Sequence, residues 1–186
     1  GNTHIFVGNG AFGSLDVTGG ALLKAGTLLA GPSAIGNGNG IVTISGVGTR
    51  VELIADGFTV INRLGIGEWG FGRLTLSGGA ILDATTNSAS CLLPDHHCDA
   101  LIGNASGAEG RFTVTGAGTR ASFIRNFLVG HAAVFRPPVD SFTFGTPGGT
   151  TRGVVEVLNG GLLNTEIVTL AEGPSGGSPT GKGRTF

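Results

Sequence analysis

Two cysteines and the two histidines between them form the densest group of reactive side chains in the sequence. Cys91 and Cys98 enclose a short segment that contains His96 and His97. Their separation suits a small disulfide loop, which an even number of cysteines favours in an exported chain. A metal site and free thiols are the alternatives, but adjacent His-His-Cys does not match the ligand spacings usual for zinc. We therefore predict a Cys91–Cys98 disulfide and no metal or cofactor.

Asp95 and Asp99 flank the same histidines, so residue types that serve as acid, base and nucleophile lie close together in sequence. Catalysis needs a concave, partly desolvated site that shifts their pKa values. A loop tip rarely provides such a site. We expect a polar loop tip without catalytic activity.

Two arginines occupy the same position in successive copies of a repeated phrase. Arg73 and Arg111 each follow the first glycine of that phrase. On neighbouring strands their like charges repel unless Glu68, Glu109 or a bound anion compensates them. Together with Trp69 they form a candidate ligand face, a sparse basic strip that suits acidic glycans.

Aromatic side chains cluster in two places. Trp69 and Phe71 stand in a glycine-rich turn, where they could stack on a sugar or cover the edge of the fold. Phe135, Phe142 and Phe144 lie in a proline-containing segment, which we expect to pack against the fold or to contact a partner if exposed.

The composition excludes several classes of protein. Glycine accounts for 37 of 186 residues, 40% of residues are hydrophobic, and the net charge is −1. The hydrophobic content is too high for a disordered chain, and the glycines lack the period of collagen. Near-neutral charge gives no basic field for nucleic acids. The apolar runs are too short to span a membrane, and the first residues do not resemble a signal peptide.

One phrase recurs along the chain: glycine, any residue, then apolar and polar residues in alternation, then glycine. Its copies cover residues 13–19, 40–46, 72–78, 110–116 and, in degenerate form, 153–160. A sixth begins at Gly183 and is incomplete, so we expect a fragment or a processed piece. Two further short apolar segments follow each complete copy, and Phe58–Val60 is the last of these in the second module. Repeats of this length predict a solenoid.

Three short strands per module predict a right-handed parallel β-helix of about six coils, with a β-sandwich as the competing fold. Residues 1–186 then form a single domain, with surface insertions at 83–100 and 131–152. Strand alternation directs residues such as Val42 and Ile44 inward. It also places one outward column at equivalent positions of successive coils, namely Asp16, Thr43, Thr75, Thr113 and Glu156.

The alternating phrases, with glycine-containing segments such as Ile66-Gly67 and Ile102-Gly103, resemble the autotransporter-associated repeats of bacterial secreted proteins. The resemblance covers nearly the whole chain except the insertions. It implies a β-helical passenger region of an exported, surface-anchored protein. It implies no particular activity and supplies no catalytic residues, because such passengers include adhesins, toxins, enzymes and inert stalks.

We therefore expect a non-enzymatic stalk or adhesin segment at the cell surface or outside the cell. Its expected partners are a surface glycan, a host receptor or a second copy bound end to end. A self-assembling fibre unit and a carbohydrate-binding or polysaccharide-processing β-helix are the alternatives. Asp16 and Glu156 stand several coils apart, at ~14–19 Å from the coil spacing, which is too far for paired acid–base work.

Overall fold

A computed structural model of the protein describes residues 3–32, 38–54, 64–85, 100–104, 107–124, 126–130 and 151–170. These residues form sixteen β-strands and contain no helix. The same ranges accordingly include no helix long and apolar enough to cross a membrane.

The strands form three parallel sheets, and each strand pairs with the strand three places further along the chain. The first sheet contains β1 (His4–Val7), β4 (Thr27–Ala30), β7 (Leu64–Ile66), β10 (Ala100–Ile102), β13 (Asn126–Val129) and β16 (Ile167–Leu170). The second sheet contains β2 (Phe12–Val17), β5 (Asn39–Ser45), β8 (Phe71–Ser77), β11 (Glu109–Thr115) and β14 (Arg152–Leu158). The third sheet contains β3 (Leu22–Ala25), β6 (Arg50–Leu53), β9 (Ile81–Ala84), β12 (Arg120–Phe123) and β15 (Leu162–Asn164). Each circuit of the chain adds one strand to every sheet, which confirms the predicted parallel β-helix of about six coils.

The core is a stack of aliphatic side chains inside the three sheets. Inward residues of the second sheet, such as Val42, Ile44 and Leu74, are fully buried. Equivalent positions lie above one another because the strands pair in register, as with Val42 on Leu74. One repeat cannot bury its own apolar face, so each coil depends on its neighbours.

Three phenylalanine rings pack against one another in the core of one of the later coils. Phe112, Phe123 and Phe127 come from three different sheets, and their ring centroids lie 5.2 to 6.3 Å apart. Edge-to-face and tilted contacts at such distances add to the free energy of burial. The aromatic cluster therefore ties the three sheets together within one coil.

Threonine side chains close the corner between the second and third sheets. The Thr49 hydroxyl donates to the Ser45 carbonyl at 2.8 Å and accepts from the Gly20 backbone N–H at 3.0 Å. Since Gly20 belongs to the preceding coil, one side chain satisfies backbone groups on two levels. Thr119 makes the equivalent contacts two repeats later, where its hydroxyl donates to the Thr115 carbonyl and accepts from the Gly79 backbone N–H.

The second module differs from the expectation in one respect. The third strand of that coil is β7, which pairs with β4 on one side and β10 on the other. Phe58–Val60, which we expected at this position, lies outside the described residues. The strand is formed by Leu64–Ile66, which lies closer to the next repeated phrase. Leu64 and Ile66 are both fully buried in the interior.

The two predicted insertions lie mostly outside the described part of the chain. Asp83 and Ala84 end β9, and Ala100 begins β10. In the later insertion, Arg152 begins β14. The described residues of the first insertion therefore lie at the end of β9 and the start of β10, and those of the second lie at the start of β14.

Candidate ligand-binding face

The solvent side of the second sheet, called the outer face below, carries three columns of side chains in register. The column at the start of the strands contains Phe12, Asn39, Phe71, Glu109 and Arg152. The middle column contains Ser14, Ile41, Arg73, Arg111 and Val154. The third contains Asp16, Thr43, Thr75, Thr113 and Glu156, as the repeat alignment predicts.

Arg111 is held by a carboxylate from the next coil. Its Nη2 lies 2.7 Å from Glu156 Oε1, and its Nε donates to Glu156 Oε2 at 3.1 Å. The hydrogen bonds from Arg111 lower the pKa of Glu156 despite some desolvation, and Thr113 adds a further donor. Glu156 therefore neutralises Arg111, a role that the sequence suggested for Glu68, Glu109 or an anion.

Glu109 is directed to a different arginine. Its Oε1 lies 3.6 Å from Nη1 of Arg152, its register partner on β14. Arg152 is largely exposed and Glu109 is partly exposed, so the free energy of this contact is small. Glu109 is nevertheless paired with Arg152 and not with Arg73.

Arg73 differs from the other two arginines of the outer face. Among the described residues it has neither an ion pair nor a hydrogen-bond partner. Its register neighbours are Ile41 on one side and Arg111 on the other. The predicted adjacency of Arg73 and Arg111 is confirmed, and only Arg111 has its charge compensated.

A shallow depression of about 260 Å³ surrounds Arg73. Six side chains line it, those of Asn39, Ile41, Phe71, Arg73, Glu109 and Arg111. They come from β5, β8 and β11, so three consecutive coils build the depression. Phe71 exposes 53% of its surface there.

The structure brings two of the three predicted ligand-face residues together. Arg73 and Arg111 line the depression, whereas Trp69 is half-buried in the turn before β8 and is not part of the lining. Phe71 is the aromatic residue of the depression. Asn39 and Ile41 were missed, although the repeat alignment places them beside Phe71 and Arg73.

A network of charges covers the third sheet. Arg50 Nε lies 2.9 Å from Glu52 Oε1, and Arg50 Nη2 lies 2.7 Å from Asp83 Oδ2. Lys24 Nζ lies 3.0 Å from Glu52 Oε2. Burial opposes ionisation of Asp83, but hydrogen bonds from Thr85 and the nearby arginines outweigh it and lower the pKa of the carboxyl. Asp83 is thus favoured in its charged form, and Arg50 bridges it to Glu52.

The remaining predicted site residues lie outside the described residues. They are the cysteine pair Cys91 and Cys98 and the aromatic residues Phe135, Phe142 and Phe144. Within the described ranges, no group of three or more His, Cys, Asp or Glu side chains could hold a metal ion.

Comparison of the chain with protein-family models, with curated proteins and with solved structures gave no match.

Proposed function

We propose that this chain is a structural repeat segment of an exported bacterial surface protein, used as a stalk or as the passenger of an adhesin, without catalytic activity. The observation that carries the proposal is the continuous, in-register stacking of equivalent residues from coil to coil. Such a stack lengthens by simple repetition and presents a regular surface. The autotransporter-like repeat phrases support export.

The arrangement of carboxylates supports a non-catalytic role. Glu52 and Asp83 are register partners on adjacent coils, at a spacing of ~4.8 Å that would suit paired carboxylates of a glycosidase. Arg50 contacts both, and the pKa of Asp83 is lowered. A general acid needs a raised pKa, so this pair is poorly suited to acid–base chemistry.

Surface labelling of intact cells tests export. Antibodies against the folded chain should label cells of the source organism without permeabilisation. Labelling that appears only after permeabilisation would overturn the proposal. The gene should also encode further repeats on either side of this segment, together with a secretion signal and an outer-membrane barrel or an anchor.

An activity screen tests the non-catalytic role. The purified protein, incubated with plant, bacterial and animal polysaccharides, should release no new reducing ends or unsaturated products. Turnover that disappears in the Asp83→Asn or Glu156→Gln variant would contradict the proposal. The Thr75→Val variant, altered at an outward position without a carboxylate, serves as the control.

Self-assembly is a second candidate, favoured by matching apolar positions at the two ends of the described stack. Leu22 in β3 and Leu162 in β15 occupy one column and are 57% and 49% exposed. Val17 of the first coil shares an inward column with Val157 of the last. A second copy could continue each column, because β2 and β14 are edge strands that pair on one side only among the described residues, and open edges favour such addition.

Sedimentation analysis at rising protein concentration distinguishes this candidate. End-to-end assembly predicts a progressive series of oligomers that the Val157→Lys variant abolishes. The Val154→Lys variant, on the outward side of the same strand, should leave assembly intact. A protein that stays monomeric at millimolar concentration would exclude self-assembly and leave the stalk proposal unaffected.

A further inference from the structure

The outer face carries equal numbers of positive and negative groups, but one positive charge is not paired. Its arginines are Arg73, Arg111 and Arg152, and its carboxylates are Asp16, Glu109 and Glu156. Glu156 holds Arg111, and Glu109 lies beside Arg152. Asp16 lies on the edge strand β2 of the same face, two coils from Arg73 and one column away. Arg73 therefore offers a guanidinium to an external anion.

An exposed aromatic ring accompanies this guanidinium. Phe71 and Arg73 are two residues apart on β8 and point to the same side, so their Cα atoms lie ~6.6 Å apart. That distance matches a ligand with a flat apolar face at one end and an anionic group at the other. The amide of Asn39, next to Phe71 in its column, adds a donor and an acceptor for hydroxyl groups.

We infer that this depression binds a hexuronate, with the sugar ring on Phe71 and the carboxylate on Arg73. The planar fork of an arginine matches a carboxylate in a bidentate arrangement. The depression, at about 260 Å³, has room for one or two sugar units. This binding goes beyond the structural role proposed above and does not depend on export.

The surrounding charges select a singly charged ligand. Glu109 lines the depression, and Glu156 lies against Arg111 at its edge. A polyanion such as a nucleic acid or a highly sulfated glycan would meet these carboxylates as well as Arg73. A hexuronate places one negative charge at the guanidinium and directs hydroxyl groups towards the carboxylates, which accept hydrogen bonds.

Chemical-shift titration of the folded, isotope-labelled protein tests the inference. The probes are methyl galacturonoside and methyl glucuronoside, with methyl galactoside, methyl glucoside and inorganic phosphate as comparison ligands. We expect at least one uronoside to shift the backbone signals of Phe71 and Arg73 with a Kd of about 1 mM, a value usual for weak sites. The neutral sugars should bind at least tenfold more weakly.

Two variants in the depression and two outside it make the test specific. Arg73→Gln and Phe71→Ala should each weaken uronoside binding at least tenfold. Phe12→Ala, an exposed phenylalanine of the same column two coils away, and Arg120→Gln on the third sheet should change it less than twofold. All four substitutions are at exposed positions, and unchanged circular dichroism would confirm that each variant is folded.

Three results would overturn the inference. The first is the absence of shifts at Phe71 and Arg73 with both uronosides at 20-fold excess over the expected Kd. The second is equal binding by wild type and Arg73→Gln. The third is phosphate binding as tight as uronoside binding, which would indicate a general anion site. None of these results changes the surface-labelling outcome, so failure here is distinguishable from failure of the stalk proposal.

Discussion

Gly67 and Gly72 pack backbone against backbone at the corner between the first and second sheets. A Cβ atom on Gly72 would overlap the backbone nitrogen of Gly67 and the carbonyl oxygen of Ala30. Gly67 itself has a φ of +63°, and a Cβ on it would overlap the carbonyl of Glu109 in the next coil. Equivalent glycines repeat this contact at Gly40 and Gly110. The first glycine of each repeated phrase is therefore required for close packing.

Replacing Gly72 by alanine should destabilise the protein strongly. The added methyl group meets backbone atoms, which cannot move as a flexible side chain can, so we expect a loss of about 3 kcal/mol. Urea denaturation of the wild type and the variant measures the difference. Gly10→Ala is the matched control, because Gly10 has a φ of +75° but no atom within 4 Å of its Cβ position. Its cost should be only the ~1–2 kcal/mol of the left-handed conformation, and equal losses in the two variants would refute the packing argument.

Removing the hydroxyl of Thr119 should reveal how much the corner threonines contribute. Thr119 is 1% exposed, donates to the Thr115 carbonyl at 2.9 Å and accepts from the Gly79 N–H at 2.8 Å. Thr119→Val keeps the shape but leaves both backbone groups without this partner, so we expect a loss of about 1–3 kcal/mol. Thermal and urea unfolding measure the change.

Thr75→Val provides the control for this substitution. Thr75 lies on the outer face and makes no hydrogen bond within the described ranges, so stability should change by less than ~0.5 kcal/mol. If Thr75→Val and Thr119→Val lower the free energy of unfolding by similar amounts, the lost hydrogen bonds to buried backbone groups are not the cause.

Arg50 should stabilise the third sheet by forming ion pairs with two adjacent carboxylates. Glu52 and Asp83 are register partners, and Arg50 contacts both. Arg50→Gln removes the shared cation, so we expect a loss of about 1 kcal/mol. Adding Asp83→Asn in that background should restore part of the loss, since it removes one of the two facing charges. A double-mutant cycle from urea denaturation gives the coupling, and strict additivity would argue against the network.

Stability should fall in acid partly through Asp83. The pKa of Asp83 in the folded protein lies below its ordinary value of 3.8, despite the opposing effect of burial, because Thr85 and the arginines favour the charged form. A lowered pKa stabilises the folded state above the unfolded value, and this contribution disappears as the pH falls through the folded value. The difference in free energy of unfolding between wild type and Asp83→Asn should be constant from pH 7 to 5 and shrink below pH 3.8.

The same titration in the Arg50→Gln background checks the cause. Without the Arg50 charge, the pKa of Asp83 should lie closer to its ordinary value, so the acid-dependent part of the difference should become smaller. If the difference in free energy of unfolding grows towards low pH in either background, the pKa of Asp83 is not lowered in the folded protein.

The sequence by itself determined the coil and the neighbours within each column. Strand alternation has a period of two, so the repeated phrase specifies which side chains point inward. Parallel strands in register then place equivalent positions of successive copies side by side. This is why Arg73 beside Arg111, and the column from Asp16 to Glu156, could be read from the repeats alone.

Only the tertiary structure decided which charges are satisfied and where the depression forms. Long side chains reach neighbouring coils through their rotamers, so alignment could not tell that Glu156 holds Arg111 while Arg73 has no partner in the described part of the chain. Trp69 and Phe71 are two residues apart, yet β8 begins only at Phe71, and Trp69 in the preceding turn does not line the depression. The backbone register determines which residues share a column. Turn geometry and side-chain length determine which of these side chains contact one another.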